Sequence, residues 1–341
     1  MRWASLEPID IACRCEFGEG RCIIVAENHV LTLKGPKESG GRLPPAVVGA
    51  VLSHIARLVG GSACMAFRHA SNFPGRRPDW LQRATDVRFL DQEKDADDTT
   101  KLFFEAPRFG DVAEELYEQG QLFEPPPDPK DTAFDMLGDV LKDIADKVRD
   151  SERFDPPLLQ RFGKLERPVF NRGIEAITVH GHRLPTVRPP RIDHQLAELA
   201  VSLRKETPRS ARVRVAGNLD MIRHSDKVFE LIVDTGERIR GVWVGGEASV
   251  LGQLWRQQVV IDGVAVFRPS GALLRVDTEG LQKAGKSDDF FSKVPTPAAR
   301  SVDSKRLRLT QTSATGANAV FGKWPGDESE EQLLAALKEL G

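Results

Sequence analysis

Residues 213–222 read VRVAGNLDMI, and this stretch opens the part of the chain that decides the fold. Apolar and polar residues alternate loosely over a length that suits one long strand, and Gly217 lies where a coiled strand needs a bend or a bulge. Two further strands are predicted at 228–233 and 239–244. They flank Asp234-Thr235-Gly236, which is a hairpin signal.

A helix-like segment at 248–256 precedes two more predicted strands, at 259–267 and 273–276. Three strands, a helix and two strands is the order of strands in OB-folds. The chain also resembles OB-fold modules in the residues VRVAGNLD at 213–220 and VIDGVA at 260–265. The resemblance implies a five-stranded OB-type β-barrel over residues 211–280.

OB-folds commonly bind oligonucleotides on the face of strands 2 and 3 and through two hairpin loops. The resemblance therefore gives a set of candidate nucleic-acid-binding residues, which are Arg223, Lys227, Arg238, Arg240, Trp243 and Arg268. In the alternative interpretation the arginines are solvated on the outside while Phe229, Trp243 and Trp255 fill the core. Acidic residues are interleaved with the basic ones, so the local charge nearly cancels.

The first 190 residues have the pattern of a mixed α+β domain. We predict a helix at 44–59, a buried strand at 63–67 and a hairpin with strands at 87–90 and 102–104. The clearest helix is predicted at 131–153, where Asp131 or Thr132 can cap it and apolar residues recur at helical spacing.

The predicted fold class is thus α+β, with the barrel after the mixed region and a short amphipathic helix at the end. The predicted domains are 1–190 (mixed α+β), 191–281 (barrel with a leading helix), 282–317 (linker) and 318–341 (partner-binding tail). Within the linker, Asp288-Asp289-Phe290-Phe291 is an acidic-aromatic patch. It either contacts a partner or folds back onto its own domain.

The chain ends in a tail with strong local signals. Residues 321–328 read FGKWPGDE, and Ser329 with Gln332 can form a capping box. Leucines at 333, 334, 337 and 340 form an apolar stripe on a helix of about three turns, a length that is marginal alone in water. The stripe therefore needs a groove to receive it, in a partner or in the chain's own body.

The tail resembles the C-terminal tails of bacterial type II antitoxins that neutralise PIN-domain ribonuclease toxins. The likeness rests on GKWPGDE at 322–328 and on the Glu/Leu-rich helix after it. It implies that Phe321 and Trp324 are anchors, that Lys323 meets the carboxylates of the toxin, and that Leu333, Leu334 and Leu337 fill a groove. Two features depart from this family: the chain is much longer, and no helix-turn-helix or ribbon motif is visible.

Composition sets limits on function. The chain has 341 residues, of which 40% are hydrophobic and 29% charged, and its formal net charge is −2. A protein built mainly to hold a nucleic-acid backbone has a basic excess, which is absent overall. Four cysteines in this length favour free thiols in a reducing compartment, hence the cytoplasm. We expect no membrane segment, because no stretch approaches ~20 apolar residues, and no secretory leader.

The sequence contains no P-loop, G-x-S-x-G or H-E-x-x-H motif, so we predict no catalytic residues, no metal, no cofactor and no enzyme. Several weak metal-ligand patterns occur. They are Cys13, Cys15 and Cys22 with Cys64 or His29, the pair His180 and His182, and the acidic residues between 91 and 98. A structural zinc site needs four ligands, usually in two close pairs. The function predicted is an antitoxin-like or immunity-type protein that neutralises a nuclease; the alternative is a single-stranded nucleic-acid-binding protein.

Overall fold

The structure, a computed structural model, describes residues 26–35, 42–72, 77–95, 99–117, 126–223, 227–245, 249–285 and 287–297. The chain forms two compact units, Met1–Arg300 and Ser301–Gly341. The second unit, and with it the predicted tail helix, lies outside the described residues. The domain boundaries predicted from the sequence therefore stay predictions.

The described part of residues 26–206, called the body below, contains an antiparallel five-stranded sheet of order β2-β3-β1-β4-β5. Its strands are β1 (Ala26–Lys34), β2 (Arg88–Lys94), β3 (Thr99–Pro107), β4 (Ala176–Gly181) and β5 (Arg191–Asp193). The predicted hairpin is confirmed as β2 and β3. Strand β2 is an edge whose residues are all exposed. Its bulge and charged side chains are devices that protect an edge from further pairing.

Seven α-helices are described in the body, besides a short 3₁₀ helix at Phe170–Arg172. They are α1 (Pro45–Arg68), α2 (Asp79–Ala84), α3 (Phe109–Val112), α4 (Glu114–Tyr117), α5 (Ala133–Ala145), α6 (Pro156–Gly163) and α7 (His194–Glu206). The predicted cap of α5 is confirmed at Thr132, which forms a capping box with Asp135. The helix ends earlier than predicted, because Lys147 takes a positive φ of 53° and turns the chain.

The strand predicted at 63–67 is wrong, because these residues continue α1 to Arg68. The prediction treated Gly60-Gly61 as a turn. In the structure both glycines lie inside the helix, and the guanidinium of Arg161 approaches Gly61 so closely that a Cβ there would collide with it. The glycine thus serves close packing between α1 and α6.

Helix α1 has the length and apolar composition to cross a membrane, and 56% of its most apolar window is buried inside the structure. The buried core helix of a globular protein passes the same test. This helix packs its apolar residues in the body's core, with Val51, Ile55 and Leu58 fully buried.

The predicted closed five-stranded barrel is confirmed, with strands in the order β10-β8-β7-β6-β9 around the barrel. They are β6 (Ala211–Arg223), β7 (Val228–Ile232), β8 (Arg238–Trp243), β9 (Gln258–Phe267) and β10 (Leu273–Lys283), and α8 (Ser249–Gln253) follows β8. Strand β10 pairs in parallel with β8 and closes the ring. This order is consistent with an OB-type barrel. Strand β6 has a bulge between Leu219 and Met221. The bend or bulge was predicted at Gly217, which instead pairs in regular register with Val259 on β9.

Two apolar clusters form the interior, one in the body and one in the barrel. The body cluster also includes two barrel residues, Val266 on β9 and Leu274 on β10. Barrel and body therefore share apolar contacts within the first unit, on the side of the barrel where β9 turns into β10.

Candidate functional site

The face of β7 and β8 is the first candidate site, since this is where an OB-type barrel would bind a nucleic acid. Alternation along the strands turns Phe229 and Trp243 into the barrel and Arg238 and Arg240 outward. Trp243 is only 6% exposed, so a base cannot stack on its ring while the barrel is closed. For Phe229 and Trp243, the alternative interpretation, in which these side chains fill the core, is confirmed.

Two of the predicted nucleic-acid-binding arginines meet the same carboxylate of the body. Arg240 donates to Oε2 of Glu152 at 3.0 Å, and Arg268 donates to Oε1 of Glu152. Arg268 also donates to the backbone carbonyl of Asp150 at 3.1 Å. Beside it, Ser270 donates to the Asp150 carboxylate at 2.8 Å. The segment after α5 thus covers this part of the barrel face.

Two other barrel arginines bind the C-terminal end of α1. Arg223 donates to the carbonyl of Phe67, and Arg275 donates to the carbonyl of His69 at 2.6 Å. The last carbonyls of a helix lack partners within the helix and carry partial negative charge, so cations stabilise them. This attraction explains why two guanidinium groups of the barrel lie at the C-terminal end of α1.

Arg275 also lies in a buried ion network. Its guanidinium is 2.7 Å from Asp277 and 3.3 Å from Asp155, and the side chains of Arg275 and Asp155 are almost fully buried. Asp155 in turn accepts from the hydroxyl of Ser71 at 2.6 Å and caps α6. A buried charge that is paired and hydrogen-bonded on all sides holds a unique arrangement of its neighbours, and removing one member is costly.

The electrostatic surroundings of His69 show how cationic the junction is. Burial lowers the pKa of His69 well below its usual value, and the nearby guanidinium groups of Arg240, Arg223, Arg275 and Arg268 lower it further. The ring is therefore neutral at pH 7. Four arginines gather here, but carboxylates and helix carbonyls of the body already engage them.

Arg238 remains on the exposed part of the barrel face. It donates to Glu230 at 2.9 Å and lies 3.5 Å from Asp220. Next to it Trp255 is 52% exposed, its Nε1 donates to the carbonyl of Asp220 at 3.1 Å, and the guanidinium of Arg256 stacks 4.6 Å from the ring centre. The interpretation that placed Trp255 in the core is wrong. In the sequence, the position of Trp255 after α8 and beside Arg256 was the one feature that indicated an exposed side chain.

Lys227, the remaining member of the predicted set, lies at the start of β7 with a positive φ of 59°. Its carbonyl accepts from the backbone nitrogen of Trp243 at 2.8 Å. The structure thus divides the predicted set. Arg223, Arg240 and Arg268 contact the body, and Trp243 is in the core. Arg238 begins β8 opposite Ile232, the last residue of β7, whereas Lys227 directly precedes β7.

A large open groove of about 1120 Å³ lies in the body between α5, the segment 183–191 and α7. Asp131, Asp135 and Asp139 line one side, and Arg183 on the other side reaches Asp131 at 2.5 Å. Burial raises the pKa of Asp131 and of Asp135. Asp135 also accepts from the backbone and hydroxyl of Thr132, so its charge stabilises the start of α5.

The weak metal-ligand patterns are not assembled in the described residues. His29 is buried and its Nε2 lies 3.0 Å from the hydroxyl of Thr132, while Cys64 is buried in α1. Cys13, Cys15 and Cys22 lie outside the described residues. Within the described part of the chain, no group of three histidine, cysteine or acidic side chains could hold a metal ion.

The predicted partner-binding residues also lie outside the described residues. They are Phe321, Lys323, Trp324, Leu333, Leu334 and Leu337. Comparison of the chain with protein-family models, curated proteins and solved structures finds no match in any of the three.

Proposed function

We propose that this chain is an antitoxin-like or immunity-type protein that binds and neutralises a nuclease through residues 318–341. The observation that carries the proposal is the sequence GKWPGDE at 322–328 followed by a capping box and a leucine stripe. A rigid indole next to a short amphipathic segment is typical of helix-in-groove recognition, in which the segment becomes ordered on its partner.

The resemblance to tails that neutralise PIN-domain ribonucleases suggests how inhibition would work. Such nucleases hold their metal ions with clustered carboxylates. Trp324 and Phe321 would anchor the tail, and the leucines at 333, 334 and 337 would fill a groove. Lys323 would then bring an ammonium group to the carboxylates and compete with the metal ion there. The proposal places the chain in the cytoplasm and gives it no cofactor of its own.

The arrangement of the barrel supports a scaffold role beside the tail. We assign it as an OB-type barrel from its strand order. Glu152 and the end of α1 engage the arginines through which such a barrel would hold phosphates. Because this face of the barrel already bonds to the body, we give the barrel a structural role. This favours the tail as the part that binds the partner.

Co-expression with PIN-domain ribonuclease toxins, including any that an adjacent gene encodes, tests the proposal. We expect full-length chain to protect cells, and both the chain ending at residue 317 and the variant Trp324→Ala to protect at least tenfold less well in colony counts. Trp255→Ala is the matched control, because it removes an exposed tryptophan from the barrel. Equal protection by the truncated chain would rule out the tail as the inhibitory element.

A second candidate function is single-stranded nucleic-acid binding by the barrel. The observation that favours it is the exposed group of Trp255, Arg256 and Arg238, since aromatic rings and guanidinium groups bind bases and phosphates. Titration of the chain with a dT oligonucleotide at several salt concentrations tests it. Binding that weakens with salt and is lost in Arg238→Glu and Trp255→Ala would support this function.

A further inference from the structure

Glu152 of the body binds two arginines of the barrel in the way that a phosphate group would. Its carboxylate oxygens are divided between them, because Oε2 accepts from Arg240 at 3.0 Å and Oε1 accepts from Arg268. A phosphodiester also has two oxygens that share one negative charge, and the planar donors of arginine suit both groups. The two arginines therefore form an anion site on the barrel, and a carboxylate of the body occupies it.

This anion site lies at the boundary between the covered and the open half of the barrel face. The side chain of Glu152 is 38% exposed, whereas those of Arg240 and Arg268 are 12% and 16% exposed. Arg268 is also fixed by its bond of 3.1 Å to the carbonyl of Asp150. A competing anion can therefore approach the site from the side of Glu152, while burial keeps the guanidinium groups in place.

The open half of the face leads to this site along β8. Arg238 and Arg240 are two positions apart on the strand and both point outward, so their Cα atoms are separated by roughly 7 Å. Arg238 lies beside Trp255, because both contact Asp220. A single strand that stacks on Trp255 and places a phosphate at Arg238 would bring a following phosphate to Arg240.

Acidic side chains balance the positive charge along this line of the face. Four basic and four acidic residues of the described chain lie on it, namely Arg238, Arg240, Arg256 and Arg268, and Asp150, Glu152, Asp220 and Glu230. Asp150 lies 3.3 Å from Arg268, so it also opposes the approach of a phosphate. Loss of the charge of Glu152 alone would leave an excess of one positive charge where two guanidinium groups converge.

We infer that Arg240 and Arg268 form a phosphate site for a single-stranded nucleic acid, and that Glu152 inhibits binding there by occupying the site. A strand held at Trp255 and Arg238 must displace this carboxylate before it can extend along β8. The inference rests on the second candidate function, which is nucleic-acid binding by the barrel. It adds to that function an inhibitory contact within the chain.

Fluorescence anisotropy of a labelled dT oligonucleotide, titrated with the full-length chain at several salt concentrations, tests the inference. We expect Glu152→Gln to bind about fivefold more tightly than the wild type at about 0.1 M salt. The plot of log affinity against log salt should become steeper by about 0.7, the value for one further phosphate contact on a single strand.

Asp262→Asn is the matched control, because it removes one carboxylate that is paired with an exposed arginine, Arg214, elsewhere on the barrel. It should change the affinity less than about twofold, since salt screens an exposed charge. The double variant Glu152→Gln/Arg268→Gln should lose the gain, because it lacks one of the two guanidinium groups. Thermal unfolding of each variant shows whether the fold is retained.

Wild-type affinity in Glu152→Gln would overturn the inference while the second candidate function stands. Equal gains in Glu152→Gln and Asp262→Asn, or a gain that persists in the double variant, would also overturn it, because net charge or a loosened fold would then be the cause. Absence of oligonucleotide binding by the wild type and by Glu152→Gln would overturn both. A gain for pyrophosphate alone would assign the site to a free phosphate group and overturn the strand as its ligand.

Discussion

His29 is the residue whose environment departs most clearly from what its strand alone predicts. It lies on β1 with its ring buried, stacked 4.6 Å from Phe134 and bonded to Thr132. Burial lowers the pKa of His29 from its usual 6.5 to about 4. The folded protein therefore keeps the ring neutral over a pH range in which the unfolded chain protonates it.

This difference predicts an acid-sensitive stability. The contribution of the neutral ring is fully present above pH 6.5, because both states are then unprotonated. It is lost progressively as the pH falls from 6.5 towards 4, because only the unfolded state gains the proton. We expect a loss of about 2 kcal/mol between pH 7.5 and 5 from this residue. Urea unfolding of the wild type and of His29→Asn at both pH values measures it, and equal pH dependence in the two proteins would contradict it.

The arginines show the limit of reasoning from single residues. Arg238 and Arg240 are two positions apart on one strand face, and the sequence gives both the same interpretation. In the structure Arg240 bonds to Glu152 while Arg238 stays exposed beside Glu230. The difference arises because the body covers one half of the face and leaves the other half open.

At the scale of elements, α1 shows how one glycine can be replaceable and its neighbour necessary. An alanine methyl at Gly60 would meet nothing within 4 Å, whereas at Gly61 it would collide with the guanidinium of Arg161 and touch Leu158. Alanine is the better helix former, since it loses less backbone entropy on folding.

We therefore expect Gly60→Ala to stabilise the protein by about 0.5–1 kcal/mol, the usual gain in a helix interior. Gly61→Ala should lack this gain or destabilise, because Arg161 must give up its bond of 2.8 Å to the Arg57 carbonyl. Urea unfolding of the two variants provides the comparison. A gain of equal size in both would show that Arg161 adjusts freely.

Elements whose sequence pattern lies within a few neighbouring residues were predicted correctly. The cap at Thr132, the β2–β3 hairpin and the barrel strands depend on residues that are close in sequence or on simple alternation. The continuation of α1 through Gly60-Gly61 was missed, because the reason for a glycine at 61 is its close contact with Arg161, 100 positions away in the sequence. Local patterns do not contain that information.

At the scale of the whole molecule, Glu152 connects barrel and body by accepting from both Arg240 and Arg268. Removing this carboxylate leaves two largely buried guanidinium groups without their shared acceptor. We expect Glu152→Ala to lower the free energy of unfolding by about 1–2 kcal/mol, because both guanidinium groups lose a hydrogen bond to a charged acceptor.

Asp262→Asn is the matched control for this variant, because the pair Arg214–Asp262 at 2.8 Å is exposed on the barrel alone. It should change stability little, as is usual for surface ion pairs. Chemical denaturation followed by tryptophan fluorescence measures both variants. An unchanged midpoint in Glu152→Ala would show that the contact contributes nothing to the coupling of barrel and body.

The sequence by itself determined the order of the five barrel strands, the β2–β3 hairpin and the start of α5. These features follow from alternation, turn residues and capping, which act between neighbouring residues. Only the tertiary structure decided which charged groups are engaged. Arg240 and Glu152 are separated by 88 positions, and Arg275 and His69 by 206. Such pairs form only when packing of the barrel on the body brings them together.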